Sequence, residues 1–139
     1  MSAIMKTNVL IVDDCSVMRL MMKRTLKMSD ISINKIFEAS DGEQALEWVD
    51  TEDIGLIILD LYMPVMDGMQ VLETIRNRSV SKHIPILIVS TESNESMINQ
   101  INSLGLGFVH KPFTAEMLRE EIVKVSGESL DFKAPIFKN

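Results

Sequence analysis

Apolar and polar positions alternate along this chain in blocks. Nearly unbroken aliphatic runs fall at 8–12, 56–59 and 84–89, and more mixed runs of strand length at 33–39 and 107–109. Runs without polar alternation suit strands covered on both faces, as in a parallel sheet with helices above and below. Between the runs the apolar residues take helical spacing. Val17, Leu20, Met21 and Met28 share a face after Ser16; Ala45, Leu46 and Val49 follow Asp41; Val71, Leu72 and Ile75 follow Asp67. Met97, Ile98, Ile101 and Leu104 follow Ser93, and Leu118, Ile122 and Val125 follow Thr114. Ser, Thr and Asp supply an N-cap at each of these points, and Gly105 and Gly127 are natural stops.

Five repeats of strand then helix imply right-handed crossovers and an open, doubly wound α/β sheet. Such sheets bind ligands beyond the carboxyl ends of their strands, near the point where the strand order reverses. The residues that follow each run are therefore the candidates. They are Asp13 and Asp14 after the first, Asp60 after the third, Ser90 and Thr91 after the fourth, and His110, Lys111 and Pro112 after the fifth. The second run ends in Ala39 and Ser40 and offers nothing comparable.

Three carboxylates brought to one edge repel one another, which raises at least one pKa unless positive charge compensates. Lys111 supplies one charge and a divalent cation two. Oxygen-only ligands suit magnesium, with manganese as the alternative, and no Cys or His cluster favours zinc. A metal, a lysine and a serine hydroxyl around a carboxylate are the equipment of phosphoryl transfer. The carboxylate can itself be the nucleophile, giving an aspartyl phosphate. Asp60, ending the central run in "LIILDLYMPVMDG", is the best-placed candidate. The plain alternative is turn chemistry, because Pro64 and Asp67-Gly68 favour a turn and a helix start.

Length and charge narrow the field. A chain of 139 residues suits one domain. With 20 Asp and Glu against 14 Lys and Arg, a broad surface for nucleic acid is not expected. "MSAIMKTN" has no long apolar run, so neither a signal peptide nor a membrane anchor is expected. The single Cys15 is read as a small packed residue in a reducing compartment, which makes a cytoplasmic location the expectation.

Taken together, "LIVDDCSVMR", "LIILDLYMPVMDG", "ILIVSTE" and "GFVHKPF" resemble the CheY-like response-regulator receiver family, in matching order and spacing, over residues 8–126. The resemblance implies a flavodoxin-like strand order of 2-1-3-4-5. It implies a receiver at 1–126 followed by a tail at 127–139. By the same resemblance Asp60 is the phospho-acceptor, and Asp13 and Asp14 hold the metal with Asp60 and the backbone carbonyl of Tyr62. Ser90 is the switch hydroxyl, Lys111 the lysine that pairs with the phosphoryl group, and Phe108 the aromatic switch residue. A cis Lys111-Pro112 bond is also implied, proline being the residue type that makes one inexpensive.

Phe108 stands where tyrosine is frequent in that family, so any readout of its rotation is apolar. Tyr62 and Glu92, two residues beyond Asp60 and Ser90, border the path of attacking water and are expected to tune dephosphorylation. The implied partners are a sensor histidine kinase or phosphotransfer protein, and a downstream target at the face of the fourth helix, fifth strand and fifth helix. The implied protein is a monomer or weak dimer that acts as a switch with self-catalysed chemistry, with chemotaxis or motility as the process.

Rival readings are weaker. A flavodoxin needs a Ser-, Thr- and Gly-rich phosphate loop after the first strand, where this chain has "DDCSVMRL". A haloacid-dehalogenase-type phosphatase needs Asp-x-Asp there. A receiver fragment of a larger regulator and a phosphorylation-independent interaction module are the remaining alternatives. His110 is read as structural, and Trp48 and the methionines as helix-face packing. The fourth helix, rich in Asn, Gln and Ser, is held by tertiary contacts and is expected to be the bistable element. The tail "GESLDFKAPIFKN" is read as a loosely packed extension, a docking peptide or the start of a linker.

Overall fold

The computed structural model describes residues 6–79 and 81–126. Five strands and five helices alternate: β1 (Thr7–Val12), α1 (Ser16–Met28), β2 (Ile33–Ala39), α2 (Gly42–Thr51), β3 (Leu56–Leu59), α3 (Gly68–Arg76), β4 (Ile86–Ser90), α4 (Glu95–Ser103), β5 (Gly107–His110) and α5 (Ala115–Ser126). The strands form one sheet in the order β2-β1-β3-β4-β5, and all four pairings are parallel. The doubly wound, flavodoxin-like order is the expected one.

The unbroken aliphatic runs have a simple cause. Successive strand side chains point to opposite faces, and both faces of this sheet are covered. Leu10, Val12, Ile57, Leu59, Ile86 and Ile88 enter one core with α2, α3 and α4, while Val9, Ile11, Leu56, Ile58, Leu87 and Val89 enter the other with α1 and α5. Each fully buried Leu, Ile or Val side chain contributes about 1.5–3 kcal/mol of burial energy. Trp48 packs against the first core, its ring 4.7 Å from that of Phe37 and its Nε1 donating to the Glu38 carbonyl at 2.9 Å.

Several expectations are corrected. The face of α1 carrying Val17, Leu20, Met21 and Met28 looks outward, with Val17 61% and Met28 84% exposed. Met22 and Leu26 are the buried residues of this helix, with Met18 beside them. The N-cap position of α1 is Cys15, with no side-chain cap, and its thiol is exposed rather than packed. The cap of α4 is Asn94, whose side chain accepts from the Met97 amide at 3.0 Å, in place of Ser93. β4 begins at Ile86, not at Ile84, because Pro85 has no N–H to give to the ladder.

Other caps fall where expected. Asp67 forms a complete capping box with Gln70, Asp41 accepts from the Gln44 amide, and the Thr114 hydroxyl accepts from Met117 N–H. Gly105, just past α4, has φ +79°, the left-handed conformation that favours glycine at a helix end. Gly127 and the tail at 127–139 lie outside the described residues.

Candidate functional site

Strand register builds the site. Val12 is paired with Leu59, so the next residue on each strand, Asp13 and Asp60, emerges side by side where the order reverses between β1 and its two neighbours. Asp13 N–H donates to the Ala39 carbonyl at 3.1 Å, and Asp60 N–H to the Val12 carbonyl at 2.9 Å, which carries the ladder one step past the strands. Ser90 is paired with His110, and Lys111 N–H donates to the Ser90 carbonyl at 2.8 Å. Lys111 is thereby carried back over the acidic pair, and the Lys111-Pro112 bond is cis.

Asp60 is held from behind by the helix that follows. Gly68 N–H donates to the Leu61 carbonyl at 2.9 Å, and a β-carbon at Gly68 would lie 2.3 Å from the Asp60 carbonyl oxygen and 2.7 Å from the Leu61 α-carbon. No side chain fits there. Between them Val65, exposed at the turn, takes a φ of 68°, uncommon for a β-branched residue.

Carboxylate oxygens of Asp13, Asp14 and Asp60 lie within 4.8 Å of one another; Asp13 and Asp60 are buried and Asp14 is exposed. The Lys111 ammonium is 2.8 Å from Asp13 Oδ2 and 3.5 Å from Asp60 Oδ1. The other Asp13 oxygen accepts from the Cys15 amide at 2.9 Å. Burial pushes the Asp60 carboxyl above its ordinary range and the Asp13 charge adds to this, while Lys111 and a hydrogen bond from the Tyr62 backbone only partly offset it. Burial opposes the charge on Lys111, but its hydrogen bond to Asp13 and the charges of Asp13 and Asp60 outweigh this and raise its pKa.

Three carboxylates against one ammonium leave two negative charges, the charge a divalent cation neutralises. An all-oxygen donor set with one open, solvent-facing carboxylate fits magnesium, which keeps several waters and accepts substrate phosphate oxygens. Without such a cation, like charges gathered at a buried edge repel one another, which is an unfavourable arrangement.

The remaining expected residues surround this centre without all entering it. Ser90 is buried at the end of β4, with Oγ accepting from the Glu92 amide at 3.0 Å. Phe108 is half-buried beside Ile88 and packs against the α2–α3–α4 core. Tyr62 and Glu92 meet at the rim, where the Tyr62 hydroxyl donates to the Glu92 carboxylate. That bond raises the Tyr62 pKa and lowers that of Glu92. Thr91 and the His110 side chain are exposed and take no described part in the cluster.

Three contributors were not legible beforehand: Arg19, Lys23 and Glu38. Arg19 donates to the Asp13 carbonyl at 2.5 Å and to Glu38 at 3.0 Å, and Lys23 reaches Glu38 at 2.7 Å. The second strand thus steadies the site through Glu38, although its end residues do not reach it. The signal available was an arginine one helical turn into α1, on the side of β2, and it is a weak one.

The model of the response regulator receiver domain matches residues 9–123. The chain is 37% identical over 128 residues to the chemotaxis protein CheY-3 of Vibrio cholerae serotype O1, covering 90% of this chain and 97% of that protein. It is 36% identical over 118 residues to the chemotaxis protein CheY of Pseudomonas aeruginosa, covering 84% of this chain and 94% of that one. The crystal structure of Vibrio cholerae CheY4 superposes with a TM-score of 0.77 at 31% identity, covering 87% of this chain and 99% of that chain. With the sheet order, the acidic edge and these matches in agreement, the chain belongs to the response-regulator receiver family of phospho-accepting switch proteins.

Proposed function

We propose that Asp60 is the phospho-acceptor of this receiver and that the phosphoryl donor is a phosphohistidine on a sensor kinase or phosphotransfer protein. The observation that carries the reading is a buried carboxylate, Asp60, 3.5 Å from the Lys111 ammonium and grouped with Asp13 and Asp14. In the forward step an Asp60 carboxylate oxygen attacks phosphorus, the P–N bond breaks, and the imidazole leaves with the electron pair and takes a proton. In the reverse of activation, water attacks the same phosphorus, the P–O bond to Asp60 breaks, and inorganic phosphate leaves with the carboxylate restored.

Asp13, Asp14, Asp60 and the Tyr62 carbonyl would hold magnesium, or manganese in its place; bound there, it supplies charge neutralisation for the phosphoryl oxygens. Lys111 exchanges its contact with Asp13 for one with the phosphoryl group. The Ser90 hydroxyl turns from the Glu92 amide toward the same group. Glu92 Oε2 also accepts from the Asn94 amide at 2.8 Å, and Asn94 caps α4, so a turn of Ser90 is felt at the start of that helix. Phe108, without a hydroxyl, follows by apolar repacking. The population shift favours binding of a target at the α4–β5–α5 face.

Tyr62 and Glu92 tune hydrolysis from the rim. Residues 1–126 form the receiver and 127–139 a tail. Among the described residues no helix is long and apolar enough to cross a membrane. A cytoplasmic monomer or weak dimer fits this reading, and the names of the relatives make chemotaxis or motility the first process to test.

The test is intact-mass analysis after incubation with acetyl phosphate and magnesium. One phosphoryl adduct is expected, absent in Asp60→Asn. No adduct, or an adduct that survives the substitution, would overturn the assignment.

A further inference from the structure

The chain from the end of β4 into α4 is held almost without burial. No side chain from Thr91 to Gln100 is buried, and the buried residue of α4 is Ile101. Hydrogen bonds set the place of this segment instead, and several meet on Glu92. The Glu92 amide donates to Ser90 Oγ at 3.0 Å, its Oε2 accepts from the Asn94 amide at 2.8 Å, and its Oε1 accepts from the Tyr62 hydroxyl. Among the described residues the last is the one hydrogen bond that ties 92–100 to an element other than β4 or α4. We propose that this bond is a latch, which holds the β4–α4 segment in its resting arrangement and opens when Ser90 turns toward a phosphoryl group on Asp60.

The Tyr62 end is a fixed post. Both neighbours of Tyr62 are buried, Leu61 at 2% exposure and Met63 at 9%, while Tyr62 itself is turned out at 53%. The loop that carries it is closed by the Gly68 N–H bond to the Leu61 carbonyl, where no β-carbon fits. The Tyr62 backbone also hydrogen-bonds the Asp60 carboxylate. One residue therefore touches the acidic centre with its main chain and the β4–α4 segment with its side chain.

The Glu92 end is free to move. It lies in a run of exposed and half-exposed side chains, Thr91 to Asn94, between the last residue of β4 and the cap of α4. Asn94 starts the helix directly after it, accepting from the Met97 amide at 3.0 Å. A displacement of Glu92 thus becomes a displacement of the first turn of α4.

Connectivity turns the bond into a restraint on switching. Ser90 Oγ cannot turn inward without leaving the Glu92 amide, and that amide then needs another acceptor. Finding one moves the backbone at Glu92 while Tyr62 stays in place, which draws the carboxylate off the phenol. A hydroxyl donating to a carboxylate is a charge-assisted bond, but at an exposed rim water returns much of its strength. A latch of that size biases the resting arrangement a few-fold without locking it. Its opening rests on the reading of Asp60 as acceptor; the restraint on α4 in the resting protein does not.

The experiment is hydrogen exchange on the full chain, comparing the parent with Tyr62→Phe in the absence of metal. The substitution removes one hydroxyl and leaves the bond from Glu92 to the Asn94 amide in place. Amides from Met97 to Ile101 are expected to exchange about threefold faster in the variant, with α1 and α3 unchanged. Equal α4 exchange in the two proteins would overturn the proposal, as would an acceleration spread over every helix. The comparison is repeated with magnesium and beryllium fluoride, which forms a tetrahedral, phosphoryl-like adduct on a carboxylate. The difference between parent and variant is then expected to vanish, because the latch is already open. A difference that persists in full would show a contact with no part in switching and would overturn the latch. Fluoride that fails to bind removes the opening step together with the Asp60 assignment, while the metal-free comparison still decides the restraint on α4, so the two failures are separately visible.

Discussion

The Tyr62 hydroxyl donates to the Glu92 carboxylate, joining the residue two places beyond Asp60 to the residue two places beyond Ser90. The two rim positions are therefore one device. The bond raises the phenol's pKa and lowers the carboxyl's, and Tyr62 is the sole tyrosine in the chain. Absorbance titration at alkaline pH thus reports this group alone. Glu92→Gln is expected to bring the phenol midpoint down toward its ordinary value of about 10. In phosphoryl lifetime, Tyr62→Phe and Glu92→Ala should be non-additive, the double variant resembling either single one; full additivity would show that they act separately.

Asp60 makes stability depend on pH in a defined direction. Its folded-state pKa is raised, chiefly by burial. The folded protein then holds a proton that the unfolded chain has already released, so stability falls as pH rises through the interval between the ordinary carboxyl value and the raised one. Above that interval the loss is complete. Urea denaturation without metal should show Asp60→Asn more stable than the parent at pH 7, by roughly 0.5–2 kcal/mol, and the difference should shrink as pH falls toward 4. A constant difference across this range would place the effect elsewhere.

A metal held as proposed would compete with Lys111 for the same oxygens, since the ammonium is 2.8 Å from Asp13 Oδ2. Lys111→Met should lower metal-free stability by about 1–3 kcal/mol, because two buried carboxylates lose their neutralising partner. It should also tighten magnesium binding, whereas Asp13→Asn should weaken it. Calorimetric titration of the two variants beside the parent reads both signs. Weaker binding in Lys111→Met would mean that the lysine organises the acids more than it competes for them.

The two faces of α1 can be told apart by truncation. Met22→Ala should cost about 2–4 kcal/mol, the range for a core cavity, while Met28→Ala, at a residue 84% exposed, should change stability by under ~0.5 kcal/mol. Chemical denaturation of the pair settles which side meets the sheet.

That face was the least legible part of the fold. Apolar residues stand at 17, 18, 20, 21, 22, 26 and 28 of α1 and surround most of the helix, so periodicity alone offers two stripes. The sheet chooses the one containing Met22 and Leu26. The strands were easy for the opposite reason: a run buried on both faces has no stripe to choose. The run at 84–89 misled by two residues because hydropathy does not register that Pro85 lacks a donor. At α4 two adjacent cap formers, Ser93 and Asn94, compete, and only Asn94 reaches the Met97 amide.

At the site, the acids and the lysine were legible because each directly follows a strand, and a parallel sheet delivers all strand ends to one edge. Their mutual preference was not. Lys111 lies 98 residues from Asp13 and closer to it than to Asp60, which follows from how the β5–α5 connection crosses the edge and from nothing in local sequence. Arg19 and Glu38 were hidden for the same reason. Their contact joins two elements that the sequence shows only separately.

Gly68 leaves the turn after Asp60 with no slack. Where a missing β-carbon already puts helix backbone against the Asp60 carbonyl, the loop could not recoil on the arrival of the proposed phosphoryl group. On the proposed function Asp60 would then be the fixed jaw of a vice, clamped between β3 and the first turn of α3, and displacement would be left to the opposite jaw, formed by β4 and β5 with Ser90, Phe108 and Lys111. On that reading a receiver loosened at Gly68 would still take up a phosphoryl group, but part of the movement would be absorbed in its own loop.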